Sequence, residues 1–290
     1  MRKSLFLAIC IFKVLSGVSA QDKTGFIKAG NFNVYYEASG KGEPVFFLHA
    51  GLQDHSMWDN QVRELSGKFR VITIDLPYHG STTGHDTSLY AKEVIRIVQD
   101  SLGIKRSSIV GLSMGAAITQ DFVISYPERV DKVVLMASGL NGIEKLYQLD
   151  TITKTYIAAF FSALQRKDTA RAAFEFARSW GDGSKGCDTL VKPSSKAVYV
   201  TSLNTLLKHK LISWPRLVND PPAIDRLNEI RRPVLIIHGE EDLPVIETAS
   251  KHLQKSINGS VRMQVEDAAH MINLERSDLI NNLLTEFLRK

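Results

Sequence analysis

Ser108-Ile109-Val110-Gly111-Leu112-Ser113-Met114-Gly115 runs from an apolar stretch, through a serine set between two glycines, into a helix-like stretch. That order marks a sharp strand-to-helix turn, where glycines tolerate the strained backbone and close packing while the serine side chain is pushed out at the carboxyl edge of a sheet. A hydroxyl placed there lies beside the start of a helix, whose first amides have no partner inside the helix and suit a developing oxyanion. Ser113 is therefore the candidate nucleophile. A glycine-rich turn can also hold an incidental serine, so the reading depends on what else the chain supplies.

A nucleophilic serine needs a base, and the base needs an acid to fix its tautomer and orientation. Two downstream segments have the required form. Val234-Leu235-Ile236-Ile237-His238-Gly239 reads as a buried strand that breaks at glycine into Glu240-Glu241-Asp242. Val261-Arg262-Met263-Gln264-Val265 reads as a second strand, followed by Glu266-Asp267-Ala268-Ala269-His270 in a loop before the last helix. His238 sits at a strand end and reads as a core histidine. His49, Asp54, His55 and His79 lie on early loops, but their spacing matches no metal-ligand pattern.

From about Asn31 onward the chain resembles α/β-hydrolase fold proteins of the esterase, lactonase and carbon-carbon-bond hydrolase type. His49-Ala50-Gly51, after the strand Val45-Phe46-Phe47-Leu48, resembles the family's oxyanion loop, with Trp58 beyond it. Asp75-Leu76-Pro77-Tyr78-His79-Gly80-Ser81 resembles its D-x-R-G-H-G-x-S segment. The resemblance implies Ser113 as nucleophile, Asp242 as acid in a G-x-x-D loop and His270 as base. It also implies an oxyanion hole, for which the amides of Gly51 and Met114 are the candidates. Ala50 stands where the family has glycine after the histidine, and Pro77-Tyr78 stand where it has Arg-Gly, which removes a cation near the entrance.

The alternation of strand and helix patterns predicts a mostly parallel, roughly eight-stranded sheet with helices on both faces. Strands are expected at 33–37, 45–48, 70–74, 108–110, 132–136, 234–237 and 261–265, and helices at 57–69, 89–102, 113–126, 248–256 and 277–288. Residues 141–228 break the alternation with helical periodicity and no strand pattern, and read as a helical cap inserted between core segments 21–140 and 229–290. Leu146, Ile157, Phe160, Phe161, Leu164, Phe174, Phe176 and Trp180 are among its apolar positions, and two or three of the aromatics are expected to reach the active-site pocket.

Residues 1–20 carry a charged start at Arg2-Lys3, an apolar run interrupted by Lys13 and a small-residue end at Val18-Ser19-Ala20, the pattern of a secretory signal peptide. The apolar run is too short to span a bilayer of ~30 Å. The expectation is export, periplasmic or extracellular, without stable membrane insertion after cleavage. The formal charge of +5 includes Arg2, Lys3 and Lys13, so the remainder carries +2. A nearly neutral chain gives no electrostatic case for nucleic acid as a partner. Of the two cysteines, Cys10 leaves with the signal, and Cys187 in a polar loop has no intramolecular partner.

These features predict a serine hydrolase acting on a small ester, lactone or related carbonyl compound, with no cofactor and no metal. A carbon-carbon-bond hydrolase would use the same triad. From another class, a small-molecule receptor with residual hydrolase chemistry would also keep it, because fold alone does not separate enzyme from receptor.

Overall fold

The computed structural model describes residues 23–186, 189–190, 192–210, 215–216 and 221–290; the expected signal peptide and Cys187 lie outside them. The strands are β1 (Lys23–Ala29), β2 (Phe32–Ser39), β3 (Pro44–Leu48), β4 (Arg70–Ile74), β5 (Ser107–Leu112), β6 (Val130–Met136), β7 (Val234–Gly239) and β8 (Val261–Val265). They form one sheet in the order β1-β2-β4-β3-β5-β6-β7-β8. β2 runs antiparallel to β1 and to β4, and every other pairing is parallel.

β1 was not among the expected strands. Only Ile27 and Ala29 of its seven residues are buried, so its hydrophobic pattern is weak and its place is fixed by main-chain pairing with β2 through a turn at Gly30 (φ +55°). The central strands differ: β3, β5 and β7 are buried almost throughout, as expected of parallel strands covered on both faces. Alternate residues divide between two cores. Phe46, Leu48, Ile72 and Ile74 face one side, while Val45, Phe47, Val71 and Val110 face the other.

Helices α1 (Asp59–Leu65), α2 (Ala91–Ser101) and α3 (Met114–Ser125) follow the first strands. The first is shorter than the expected 57–69, because a 3-10 turn at His55–Trp58 precedes it and the chain leaves the helix at Ser66-Gly67. Between β6 and β7 lie α4 (Thr151–Gln165), α5 (Thr169–Gly181) and α6 (Pro193–His209), with no strand among the described residues. α5 packs against both α4 and α6. The chain closes with α7 (Pro244–Ser256), α8 (Ile272–Glu275) and α9 (Ser277–Arg289). α7 starts four residues before the expected 248, because Pro244 is tolerated in a first turn and presets its backbone angle. Among the described residues no helix is long and apolar enough to cross a membrane.

Parallel strands put all their carboxyl ends on one edge of the sheet. The loops after β3, β4, β5, β7 and β8 therefore open together, and they carry Gly51, His79, Ser113, Asp242 and His270 respectively.

Candidate active site

Ser113 joins β5 to α3 with φ +55° and ψ −112°, a conformation that L-residues rarely adopt. Surrounding packing enforces it. A Cβ on Gly115 would lie 2.2 Å from the Leu48 carbonyl oxygen, and one on Gly111 would lie 2.5 Å from the backbone of Gly115. The Ser113 amide donates to Met136 O at 2.9 Å, and its carbonyl accepts from Ala117 N at 3.0 Å. Both glycines of the motif are thus required by close approach, and the serine between them takes the strain.

Asp242 and His270 meet across adjacent strand ends. His270 Nδ1 lies 2.9 Å and 3.1 Å from the two Asp242 carboxylate oxygens, and both side chains are buried. Asp242 Oδ1 also accepts the Leu243 amide hydrogen at 2.7 Å. With Nδ1–H donated to the carboxylate, Nε2 is left as the acceptor, the tautomer a general base requires. The two loops are laced together by Glu240 N to Val265 O (2.9 Å) and Glu241 N to Ala268 O (2.8 Å). Gly239 permits this approach, since a Cβ there would meet Ala269 O at 2.1 Å.

The loop carrying Gly51 is braced by two histidines in a reciprocal arrangement. His49, after β3, accepts from Leu76 N after β4 at 2.9 Å; His79, after β4, accepts from Leu52 N after β3 at 3.0 Å. Each uses Nε2 as acceptor and turns Nδ1 to a carbonyl, Ala50 O at 2.7 Å and Pro77 O at 2.9 Å. Both imidazoles must be neutral for this. Burial holds both below the ordinary histidine value, and His79, further opposed by neighbouring His49, falls to about 3. Nearby His55 behaves in the opposite way. Burial alone would lower it, but the hydrogen bond and charge of Asp75, with Glu37 behind, lift it to about 9. Asp75 is buried, which raises a carboxyl, yet His55 and the Ser81 amide hold it below the usual range.

The early-loop histidines thus have backbone or carboxylate partners, and among the described residues no three His, Cys, Asp or Glu side chains converge as metal ligands. His238 is buried with Nε2 accepting from Arg262 at 2.6 Å, a core role as expected.

A cavity of about 280 Å³ lies above the sheet edge, lined by Ser113, Met114, Gly51 and Leu243 from the core. α4 and α5 close it with Tyr156, Ile157, Phe160, Phe161, Phe176, Ser179 and Trp180. More cap aromatics line it than the two or three expected, because the α4 and α5 faces turned inward both carry rings. Trp180 links the two halves of the site: its ring is part of the cavity wall and lies 4.5 Å from that of His270.

Several residues that hold the site together were not legible beforehand. Gln53, buried two positions after Gly51, donates to Ser202 Oγ of α6 at 3.0 Å. On the other side, Lys192 pairs with Glu241 at 3.1 Å and Glu275 at 2.8 Å, and Glu275 accepts from the amide of Ala269, next to His270. Ser184 N donates to Glu241 O at 2.9 Å. The inserted helices are therefore tied both to the loop of Gly51 and to the loops of Asp242 and His270. A glutamine, a lysine and a glutamate with no motif around them give no advance signal of such contacts.

A family model described as alpha/beta hydrolase fold matches residues 43–277. The chain is 27% identical over 281 residues to 2-hydroxy-6-oxo-6-phenylhexa-2,4-dienoate hydrolase of Comamonas testosteroni, covering 90% of this chain and 92% of that protein. Among solved structures it is similar to carboxylesterase CesB of Bacillus subtilis, with a TM-score of 0.74, 20% identity and 92% of each chain covered. It is also similar to a bromoperoxidase of Bacillus anthracis, with a TM-score of 0.75 and 21% identity, covering 93% of this chain and all of the other.

Proposed function

Because this chain belongs to the alpha/beta hydrolase fold family, we propose that it is a serine hydrolase cleaving a small carboxylic ester or lactone through an acyl-enzyme on Ser113. The observation that carries this reading is the buried His270–Asp242 pair, joined through Trp180 to the cavity that holds Ser113 on its strained turn. Ser113 Oγ attacks the carbonyl carbon as His270 Nε2 takes its proton. Asp242 keeps the imidazole in the Nδ1–H tautomer and stabilises it when charged. The amides of Gly51 and Met114 receive the oxyanion, and the collapse of the tetrahedral species expels an alcohol that His270 protonates. Water activated by the same imidazole then releases the acid.

Carbon-carbon-bond hydrolysis on the same three residues is the second reading, favoured by the name of the Comamonas testosteroni relative. The pattern at 1–20 supports export as part of the proposal, with hydrolysis taking place outside the cytoplasm.

Hydrolysis of 4-nitrophenyl esters from acetate to dodecanoate by protein beginning at Gln21, and by its Ser113→Ala variant, tests the reading. Turnover by the parent with a loss on the order of 10⁴-fold or more in the variant is expected. Equal rates in both would remove Ser113 from the mechanism. Silence in both, with turnover of a vinylogous 1,5-diketone, would move the assignment to carbon-carbon cleavage.

A further inference from the structure

The cavity above Ser113 has no charged side chain among its described lining residues. Besides that of Ser113, its two hydroxyls, on Ser179 and Tyr156, are engaged with main-chain carbonyls. Ser179 is buried and turns its hydroxyl back onto its own helix, to Glu175 O at 2.8 Å and Phe176 O at 3.1 Å. The Tyr156 hydroxyl faces the Gly186 carbonyl at 3.4 Å. A cation does stand close by, but Arg178 stacks on the Tyr156 ring at 5.0 Å and is paired with Glu175 at 2.7 Å. The charged residues next in sequence to lining residues are Glu175 and Arg178, which pair with each other, and Asp242, which is held by His270. Residues 187, 188, 191, 211–214 and 217–220 include no lysine or arginine, and their only charged members are Asp188 and Asp220.

From this lining we infer that the site takes esters whose acyl group is an uncharged hydrocarbon, aromatic or branched, and rejects those whose acyl group carries a second carboxylate. The inference rests on the serine-hydrolase reading and narrows it. A carboxylate entering the cavity would shed its water without meeting a counter-charge, and an unpaired buried ion is among the most costly groups to place in a protein. Hydrocarbon gains there instead, against Phe160, Phe161, Phe176 and Trp180, with each buried methylene worth about fourfold in kcat/KM until the cavity is filled. At about 280 Å³ the space lies at the small end of ligand cavities. The dienoate named for the Comamonas testosteroni relative carries a carboxylate, so this chain and that protein are expected to part in specificity.

Two esters separate charge from size: 4-nitrophenyl 6-methylheptanoate and mono-4-nitrophenyl adipate, in which a carboxylate replaces the isopropyl end. The protein from Gln21 is expected to prefer the neutral ester by about 10²-fold or more in kcat/KM at neutral pH. Phe161→Lys, at a half-exposed lining position, is expected to narrow that ratio at least about tenfold by supplying the missing counter-charge. Ser113-dependent turnover of both esters at similar rates would overturn the inference and leave the hydrolase reading intact. Turnover that survives Ser113→Ala would overturn the hydrolase reading instead. If neither ester is turned over, calorimetric binding to the Ser113→Ala variant decides: retention of the neutral ester alone supports the inference, and equal binding or none overturns it.

Discussion

His79 Nε2 accepts the Leu52 amide hydrogen at 3.0 Å, so the residue following Gly51 is held by an imidazole that works only while uncharged. Leu52 has φ +55°, a conformation an isolated leucine would leave. His79→Phe keeps a buried ring and removes the acceptor. We expect kcat to fall about 10- to 100-fold with KM changed less, because in the proposed mechanism the Gly51 amide, an oxyanion donor, is displaced rather than deleted. A change confined to KM in steady-state kinetics would remove His79 from that role.

The same histidine sets an acid limit on stability. His79 lies at about 3 when folded, against an ordinary value near 6.5, so below pH ~6.5 the unfolded chain takes up a proton that the folded chain refuses. Its stabilising effect is complete above that pH and is lost progressively as pH falls towards 3. His55, lifted to about 9, has the opposite sign: its contribution is complete below pH ~6.5 and is lost as pH rises through 9. The melting temperature should therefore peak near pH ~6.5 and fall on both sides. His55→Asn should flatten the alkaline limb alone. An unchanged alkaline limb in that variant would refute the assignment.

Asp242→Asn leaves a side chain of the same shape but cannot hold His270 in the Nδ1–H tautomer. A drop in kcat on the order of 10⁴-fold is expected, with the fold retained by circular dichroism. A drop below about tenfold would mean that another carboxylate orients the base.

The glycines of the strand-to-helix turn should be unequal to those elsewhere. Gly115→Ala would press a methyl to 2.2 Å from Leu48 O, where backbone cannot yield, and should cost more than about 4 kcal/mol. Gly67→Ala meets nothing within 4 Å and should be neutral or stabilising by up to about 1 kcal/mol. Urea unfolding of the two variants checks the contrast.

Lys192 bridges the inserted helices to Glu241 and Glu275, and Glu275 is buried enough that its carboxyl is pushed up even beside the lysine. Lys192→Met should destabilise by about 1–2 kcal/mol, the cost of leaving a mostly buried glutamate without its cation, reduced because the lysine is partly exposed. The wild type should lose stability between roughly 0.05 M and 0.5 M salt, and the variant should lose less. Equal salt dependence in thermal melts would show the bridge to be inert.

Much of this molecule was legible in one dimension because the signals are local. A buried parallel strand is a continuous apolar run, so β3, β5 and β7 announce themselves. A strained turn needs glycines at fixed offsets, so Gly111-Leu112-Ser113-Met114-Gly115 announces Ser113. Gly239 and the loop after β8 likewise marked out Asp242 and His270 as candidates. β1 was not legible because its place depends on main-chain pairing with β2 more than on its own two buried side chains.

What the sequence determined, then, is which residue types stand at which strand ends, since parallel strands send every carboxyl end to one edge. Tertiary structure alone decided that Trp180 lies against His270, that Gln53 reaches α6, that Lys192 spans to Glu275 and that rings without charge wall the cavity. Those contacts join residues about 80 to 150 positions apart on elements whose relative placement depends on packing of whole helix faces. No periodicity within a helix records what its inward face will meet.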